Sequence, residues 1–215
     1  MTPNQRLCID SDVLVNLLAL GCLGDAFSCI GCAQSTCFRL PSVVAQLERG
    51  KWVGERWPTA DRVAMAGAAR GLPVLPPPRN VGAQHALNSR EGIDEGEAYI
   101  IAAALEDREL LVLTGDGRMI RALHRAPEII DLESLHGRVI IFPQVIGALV
   151  NRLSISEVEY RWRLAAPETT KQRQKSLSVM FGSTSPTRAE EFWRGHELQL
   201  SHVTDVCGAD WLFPL

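Results

Sequence analysis

Acidic side chains that follow apolar runs are the residues of this sequence with the clearest capacity for chemistry. Asp10 ends the run "RLCID", Asp12 lies two residues later, and Asp116 follows "LLVLT" after a single glycine. Glu97 lies near the start of the helix-like segment that leads into that second run. Carboxylates gathered at one place repel one another unless a cation neutralises them. Their types and positions therefore predict a site for a hard divalent metal ion.

Each of these acids also has a purely structural explanation. Asp94 and Glu97 form the D-x-x-E spacing of a capping box at a helix start. Asp116 has the right position to cap the helix that follows it, and Ser11 or Asp12 could cap the first helix. Taken singly, each acid is explained by capping, and only their joint placement favours a metal site.

The elements that must position the acids alternate along the chain. Apolar runs typical of strands are "RLCID", "CFRLP", "LPVLPPP", "LLVLT" and "RVIIFP". Segments with helical spacing are "SDVLVNLLAL", "SVVAQLERG", "TADRVAMAGAARG", "DEGEAYIIAAALED" and "GRMIRALHR". Strands separated by helices predict an α/β fold with a mostly parallel sheet and helices on both faces. In such a sheet, ligands bind beyond the carboxyl ends of the strands, where the acids are predicted to lie.

Composition limits the classes of protein that this chain can represent. Its 215 residues are 46% hydrophobic and 22% charged, which is typical of a globular protein. After about residue 150 the spacing becomes helical throughout, so we expect an α/β domain over 1–150 and a helical extension over 151–215. The formal net charge of −3 means that any nucleic-acid contact must come from a local basic patch. Without a membrane span or export signal in the pattern, we expect a cytoplasmic protein.

The six cysteines allow two interpretations. Cys29 and Cys32 form a C-x-x-C pair, and Cys22 and Cys37 could complete four zinc ligands. Structural zinc sites usually combine two close pairs, and here the second pair is missing. We therefore favour reduced thiols that pack as small hydrophobic residues.

The segments "IDSDVL" and "LTGDG" also suggest a phosphatase of the haloacid dehalogenase type. That chemistry needs a lysine between the two motifs to hold the phosphate. The only lysines are Lys51, Lys171 and Lys175, and Lys51 directly follows a helix that belongs to another part of the predicted sheet. This interpretation is the weaker of the two phosphoryl-transfer hypotheses.

Four segments in order resemble the PIN-domain family, which includes VapC-like toxin ribonucleases of toxin–antitoxin pairs. They are "CIDSDVLVNLLALG", "FRLPSVVAQLERG", "DEGEAYIIAAALED" and "LLVLTGDGRMIRAL", within roughly residues 5–150. The resemblance implies an α/β/α sandwich, an acidic pocket for Mg²⁺ or Mn²⁺, and hydrolysis of RNA phosphodiester bonds. It also implies a homodimer and an inhibitory antitoxin as partners.

Carried over by position, the resemblance assigns the metal-binding, catalytic acids to Asp10, Glu97 and Asp116. Ser11 and Thr114 would be neighbouring hydroxyls that orient water or metal. Such a site would hydrolyse RNA by activating a metal-bound water, without a side-chain nucleophile.

One position departs from the family pattern. Gln46 stands in "PSVVAQL" where the family often has a glutamate, and an amide oxygen can coordinate a metal but carries no charge. Asp94, one turn before Glu97, could restore that charge. The alternative function is a PIN-like protein that binds nucleic acid or a partner and cuts weakly or not at all.

Basic residues suggest where a substrate could bind. Arg118, Arg121 and Arg125 share one face of the helix after Asp116, which is either an RNA-binding stripe or a solvated surface. In the extension, Trp162 lies between Arg161 and Arg163, with three more cations farther along at Lys171, Arg173 and Lys175. Packing of an amphipathic helix explains this second group better than nucleic-acid binding does. The extension could also cover the pocket or bind a protein partner.

Overall fold

Four parallel strands form the centre of the protein in the computed structural model, which describes residues 5–125, 132–165, 175–182 and 186–215. The strands are β1 (Arg6–Ile9), β2 (Cys37–Arg39), β3 (Leu110–Thr114) and β4 (Val139–Ile141). Their order in the sheet is β2-β1-β3-β4. Leu7 pairs with Cys37 on one side and with Leu111 on the other. All the carboxyl ends therefore lie at the same edge, as the alternation of strands and helices predicts.

Twelve α-helices connect and cover the strands within the described ranges. They are α1 (Ser11–Ala19), α2 (Leu23–Ile30), α3 (Val43–Arg49), α4 (Lys51–Gly54), α5 (Thr59–Arg70), α6 (Val81–Asn88), α7 (Glu95–Glu106), α8 (Gly117–His124), α9 (Phe142–Leu153), α10 (Ile155–Ala165), α11 (Lys175–Phe181) and α12 (Ala189–Cys207). None of these helices is by itself long and apolar enough to span a membrane. The pair α1 and α2 reaches that length and apolarity only together, across a bend of 119°.

Both faces of the sheet carry a hydrophobic core, because successive side chains of a strand point to opposite sides. Leu7 and Ile9 join a core that includes side chains of α1, α3, α5 and α9. Cys8 and Val112 join a second core built mainly from α7 and α8. Layers of helices therefore enclose the sheet, which makes this an α/β protein consistent with a three-layer arrangement.

The predicted strand "LPVLPPP" is wrong, since this segment contributes a single bridge between Val74 and Arg39. Proline has no N–H to donate to a ladder, so Pro76 and Pro77 prevent further pairing. Four helices, α2, α4, α6 and α9, were not predicted from the sequence. The run "RVIIFP" ends as a strand at Ile141, and Phe142 begins α9 with proline in its first turn, a favourable position for that residue.

The C-terminal helices pack into the same core as the sheet. Trp162 of α10 stacks on Phe181 of α11, with ring centroids 5.4 Å apart. Glu159 of α10 is 3% exposed and accepts hydrogen bonds from the backbone N and Oγ1 of Thr187 at 2.9 and 2.7 Å. Arg163 completes this cluster by donating a hydrogen bond from Nη2 to Oε1 of Glu159 at 2.6 Å. Trp162, Phe181 and Phe192 belong to the same buried cluster as Leu7 and Ile9, so the described part of 151–215 packs against the core of the sheet. The division into two domains at residue 150 stays a prediction.

Candidate active site

The five acidic residues considered in the sequence, together with Glu95, line one cleft at the carboxyl edge of the sheet. The cleft has a volume of about 890 Å³. Asp10 and Asp12 reach it from the junction of β1 and α1, Asp94 and Glu97 from the start of α7, and Asp116 from the junction of β3 and α8. Because β1 and β3 are adjacent and parallel, residues that directly follow them are neighbours. The three acids predicted to bind metal thus all line the same cleft.

Asp10 lies at the centre of this charge. Its backbone N donates to the carbonyl O of Leu113 at 2.9 Å, which extends the pairing of β1 with β3 by one residue. It precedes α1, yet its side chain makes no capping hydrogen bond. Burial first, and then the neighbouring carboxylates of Asp12, Glu97 and Asp94, raise the pKa of Asp10 to about 8. The carboxyl group is thus held in a site whose negative charge is poorly compensated.

Asp94 and Glu97 form the predicted capping box. Asp94 Oδ1 accepts from the backbone N of Glu97 at 2.9 Å, and Glu97 Oε2 accepts from the backbone N of Asp94 at 2.9 Å. Glu97 is only 6% exposed. Burial raises the pKa of Glu97 to about 7, against the lowering effect of its hydrogen bond with the Asp94 backbone. The capping explanation is confirmed, and the same two residues also line the cleft.

Asp116 caps α8 and is engaged by a cation. Its Oδ1 accepts from the backbone N of Arg118 at 2.6 Å, and its Oδ2 accepts from Nε and Nη2 of Arg118 at 3.0 and 2.5 Å. Burial alone would raise the pKa of Asp116, but these interactions with Arg118 outweigh it and lower the pKa. Thr114 is buried and its Oγ1 accepts from the backbone N of Asp116 at 3.1 Å. Thr114 therefore shapes the turn and does not line the cleft.

Two neutral oxygens in the cleft are buried without a hydrogen-bond partner among the described residues. They are Oγ of Ser11, a residue only 8% exposed, and Oε1 of Gln46 on α3. Glu48 lies on the same helix but forms an ion pair with Arg70 and does not line the cleft. Buried oxygens normally have partners, so Ser11 and Gln46 have acceptor capacity to offer a bound ion or water.

The oxygen atoms of these side chains suit a hard divalent cation, although they are not already arranged as a metal site. Carboxylate, amide and hydroxyl oxygens are the ligands that Mg²⁺ and Mn²⁺ prefer. Across the described ranges, no three side chains of His, Cys, Asp and Glu are grouped closely enough to form a ready metal site. Asp116 is engaged by Arg118, and Asp94 and Glu97 by each other's backbone, so these side chains must rotate for a shared ion to bind.

Several residues that line the cleft were not predicted from the sequence. These are Val13, Asn16, Leu40, Pro41, Ser42, Trp52, Arg56, Glu95, Gly96, Tyr99, Gly115, Phe142, Ser176 and Leu177. Arg56 lies near Asp12: the pKa of Asp12 is raised by burial first, and Arg56 opposes that rise. Ser176 and Leu177 belong to α11, so the C-terminal segment does contribute to the cleft wall. No local sequence pattern predicts that Ser176 and Leu177 lie near the acids, because only packing between segments distant in sequence brings α11 to the cleft.

Of the predicted basic stripe, only Arg118 lines the cleft. Arg121 lies one turn farther along α8, and Arg125 lies directly past the end of that helix. In the extension, Trp162 is 2% exposed, while Arg161 contacts Glu157 and Arg163 contacts Glu159. Amphipathic packing thus explains Arg161, Trp162 and Arg163. Lys171, Arg173 and the side chain of Lys175 lie outside the described residues.

The two alternative sites are also located by the structure. Lys51 lies on α4, is exposed and does not line the cleft. Among the four cysteines considered for zinc, Cys22 and Cys37 are buried and Cys29 and Cys32 are partly buried, and all are free thiols. This burial agrees with their packing as small hydrophobic residues.

In comparisons with known proteins, no family model, curated protein or solved structure matches this chain. Its chemistry must therefore be argued from the residues of the cleft.

Proposed function

We propose that this protein is a metal-dependent ribonuclease with a PIN-like fold. The observation that carries the proposal is the convergence of Asp10, Glu97 and Asp116, from three separate segments, in one cleft at the carboxyl edge of a parallel sheet. A cleft with this much uncompensated negative charge is unfavourable unless a cation enters it. Three of the four sequence segments that resemble the PIN family contribute these same acids.

The residues present would hold Mg²⁺ or Mn²⁺ through the carboxylates of Asp10, Glu97 and Asp116, with Ser11 and Gln46 as neutral neighbours. When bound, such an ion lowers the pKa of a coordinated water and neutralises charge on a phosphate. Asp10 supplies a carboxylate that no capping bond occupies. Arg118 releases Asp116 and offers its guanidinium to the RNA phosphate, a geometry that suits arginine.

The proposal includes a role as the toxin of a toxin–antitoxin pair, with a homodimer and a protein inhibitor as partners. Its support is the sequence resemblance. The alternative is a PIN-like protein that binds RNA or a partner but cuts weakly or not at all. Two features favour that alternative, namely the neutral Gln46 in the acidic cleft and the ion pair that engages Asp116. The phosphatase hypothesis has less support, because Lys51 lies away from the cleft.

The test is cleavage of a 5′-labelled, unstructured RNA by the full-length protein with Mg²⁺, Mn²⁺ or EDTA. We expect cleavage with either metal and none with EDTA. Asp10→Asn and Asp116→Asn should each lower the rate by roughly a hundredfold or more, since each removes a metal-binding charge.

Asp25→Asn is the matched control, because Asp25 lies on α2 and pairs with Arg152 outside the cleft. It should cleave like the wild type. Equal activity in all variants, or activity that survives EDTA, would point to a contaminating nuclease and contradict the proposal. Metal binding without cleavage by the wild type would favour the binding-protein alternative.

A further inference from the structure

An aromatic ring and a guanidinium form one wall of the acidic cleft. Trp52 lies on α4, and Arg56 lies in the turn that directly follows this helix. The guanidinium carbon of Arg56 lies 4.9 Å from the centroid of the Trp52 ring. Both residues line the cleft that holds Asp10 and Asp116.

Packing fixes the orientation of this wall. Trp57 is 4% exposed, and its ring meets that of Trp52 edge-to-face, with centroids 6.5 Å apart and planes at 78°. Trp52 itself is only partly buried. A ring held from the core side and open toward a cleft is prepared to bind a flat ligand without losing much side-chain freedom.

The charged residues of the cleft indicate which chemical groups such a ligand has. Within the described ranges, the cleft is lined by six acidic residues, the five above and Glu95, and by two cations, Arg56 and Arg118. Arg118 pairs with Asp116. Arg56 lies near Asp12 and opposes the rise in the pKa of Asp12 that burial causes. A ligand with a planar ring and a phosphate fits Trp52 and Arg56 together, because guanidinium groups bind phosphate and also stack on bases.

We propose that Trp52 and Arg56 form a nucleobase subsite, which holds one unpaired base of an RNA strand beside the acidic cluster. The inference rests on the proposed function, since it takes RNA as the occupant. The base stacks on the Trp52 side of the wall, and Arg56 contacts the adjoining phosphate. The subsite makes the protein selective for single-stranded RNA, because the bases of a duplex are already stacked and paired.

Binding can be measured apart from cleavage. The Asp10→Asn protein, at full length and in Mg²⁺, is titrated into a fluorescein-labelled eight-nucleotide single-stranded RNA, and a gel verifies that the probe stays intact. Adding Trp52→Ala should weaken binding by about fivefold or more, the usual effect of losing one stacked base. Adding Trp52→Phe should preserve most of the affinity, since a phenyl ring still stacks.

Trp193→Ala, added in the same background, is the matched control. Trp193 is also partly buried but packs against Phe192 and His196 on α12, outside the cleft. It should leave RNA binding within about twofold of the parent, because stacking on Trp52 is intact. A probe of the same length without bases should bind the parent and the Trp52→Ala protein equally.

Base stacking can also be tested with Trp52 and Arg56 both intact, by replacing single bases of the probe with abasic positions. One or two positions should lower affinity for the Asp10→Asn protein, and the others should not. The inference is overturned if no position matters, if Trp52→Ala leaves RNA affinity unchanged, or if it weakens RNA and the abasic probe by the same factor. Cleavage without dependence on Trp52 defeats this inference alone, whereas dependence on Trp52 without cleavage by the wild type defeats only the ribonuclease proposal.

Discussion

Arg118 binds both carboxylate oxygens of Asp116 from two residues farther along the chain, with Nε 3.2 Å from Oδ1 and Nη2 2.5 Å from Oδ2. The side chain of Arg118 is 77% exposed and that of Asp116 is 21% exposed. Exposed ion pairs add little to stability, so this one can open when a competing cation arrives. The pair thus sets how readily Asp116 becomes available as a metal ligand.

Replacing Arg118 should therefore strengthen metal binding. In Arg118→Ala, Asp116 loses the partner that lowers its pKa, and the cleft loses one of its cations. We expect the dissociation constant for Mn²⁺, measured by titration calorimetry at pH 7.5, to fall by about two- to tenfold. Arg125→Ala, directly after the C-terminal end of α8 and outside the cleft, should leave that constant unchanged. Weaker Mn²⁺ binding in Arg118→Ala would show that Arg118 organises the site rather than competing for it.

Converting Gln46 to glutamate should supply the charge that the cleft lacks at this position. Gln46 Oε1 is buried and has no hydrogen-bond partner among the described residues. In Gln46→Glu, Mn²⁺ should bind about tenfold more tightly, because affinity rises with the number of charged ligands. The metal-free protein should be less stable by about 1 kcal/mol, since another carboxylate enters an acidic site.

The matched control for that change is Gln84→Glu, on α6 and away from the cleft. Thermal denaturation with and without Mn²⁺ separates the two effects. An equal gain in melting temperature from Mn²⁺ in wild type and Gln46→Glu would mean that position 46 does not contact the ion.

Asp10 should make the metal-free protein less stable as the pH rises. The pKa of Asp10 is raised from 3.8 to about 8, chiefly by burial, so the folded state holds this proton more tightly than the unfolded state. Its contribution to stability is complete below about pH 4 and is lost as the pH passes 8. Asp10→Asn should match wild type near pH 4 and exceed its free energy of unfolding by a few kcal/mol near pH 8.5, where wild-type Asp10 is charged.

Urea denaturation in EDTA between pH 4.5 and 8.5 measures this difference. Asp25→Asn should follow the wild-type pH profile. If Asp10→Asn and wild type run parallel over the whole range, the Asp10 carboxylate is solvated and the cleft does not concentrate charge as described.

Glu159 should be important for anchoring the C-terminal helices. Burial would raise its pKa, but hydrogen bonds from Thr187 and Arg163 outweigh this and lower it. A carboxylate with a lowered pKa stabilises the folded state above about pH 4.5, and this stabilisation is lost as the pH falls. Glu159→Gln should cost about 1–3 kcal/mol at pH 7, with a smaller difference from wild type near pH 3.5.

The control is Glu157→Gln, which removes the more exposed pair with Arg161 on the same helix. It should change the free energy of unfolding by less than about 1 kcal/mol. Equal effects of the two substitutions in urea denaturation would contradict the buried role of Glu159.

The sequence was sufficient to predict the parallel α/β class and the meeting of Asp10 with Asp116. Both follow from local patterns, because an acid that directly follows a buried parallel strand must lie at the carboxyl edge of the sheet. The capping box of Asp94 and Glu97 was also predictable, since its spacing is fixed by one helical turn. Strand order was not, because pairing depends on contacts between segments that are distant in sequence.

What only the tertiary structure decided is how these residues are used. Arg118 pairs with Asp116, and α4 with the turn that follows it brings Trp52 and Arg56 to the wall of the cleft. α11 adds Ser176 and Leu177 to the wall of the cleft. Periodicity specifies which face of a helix is apolar, but not which distant element packs against that face. The sequence alone therefore determined which acids are candidates and at which edge of the sheet they lie. Packing between distant segments determined the shape of the cleft and the balance of charges around these acids.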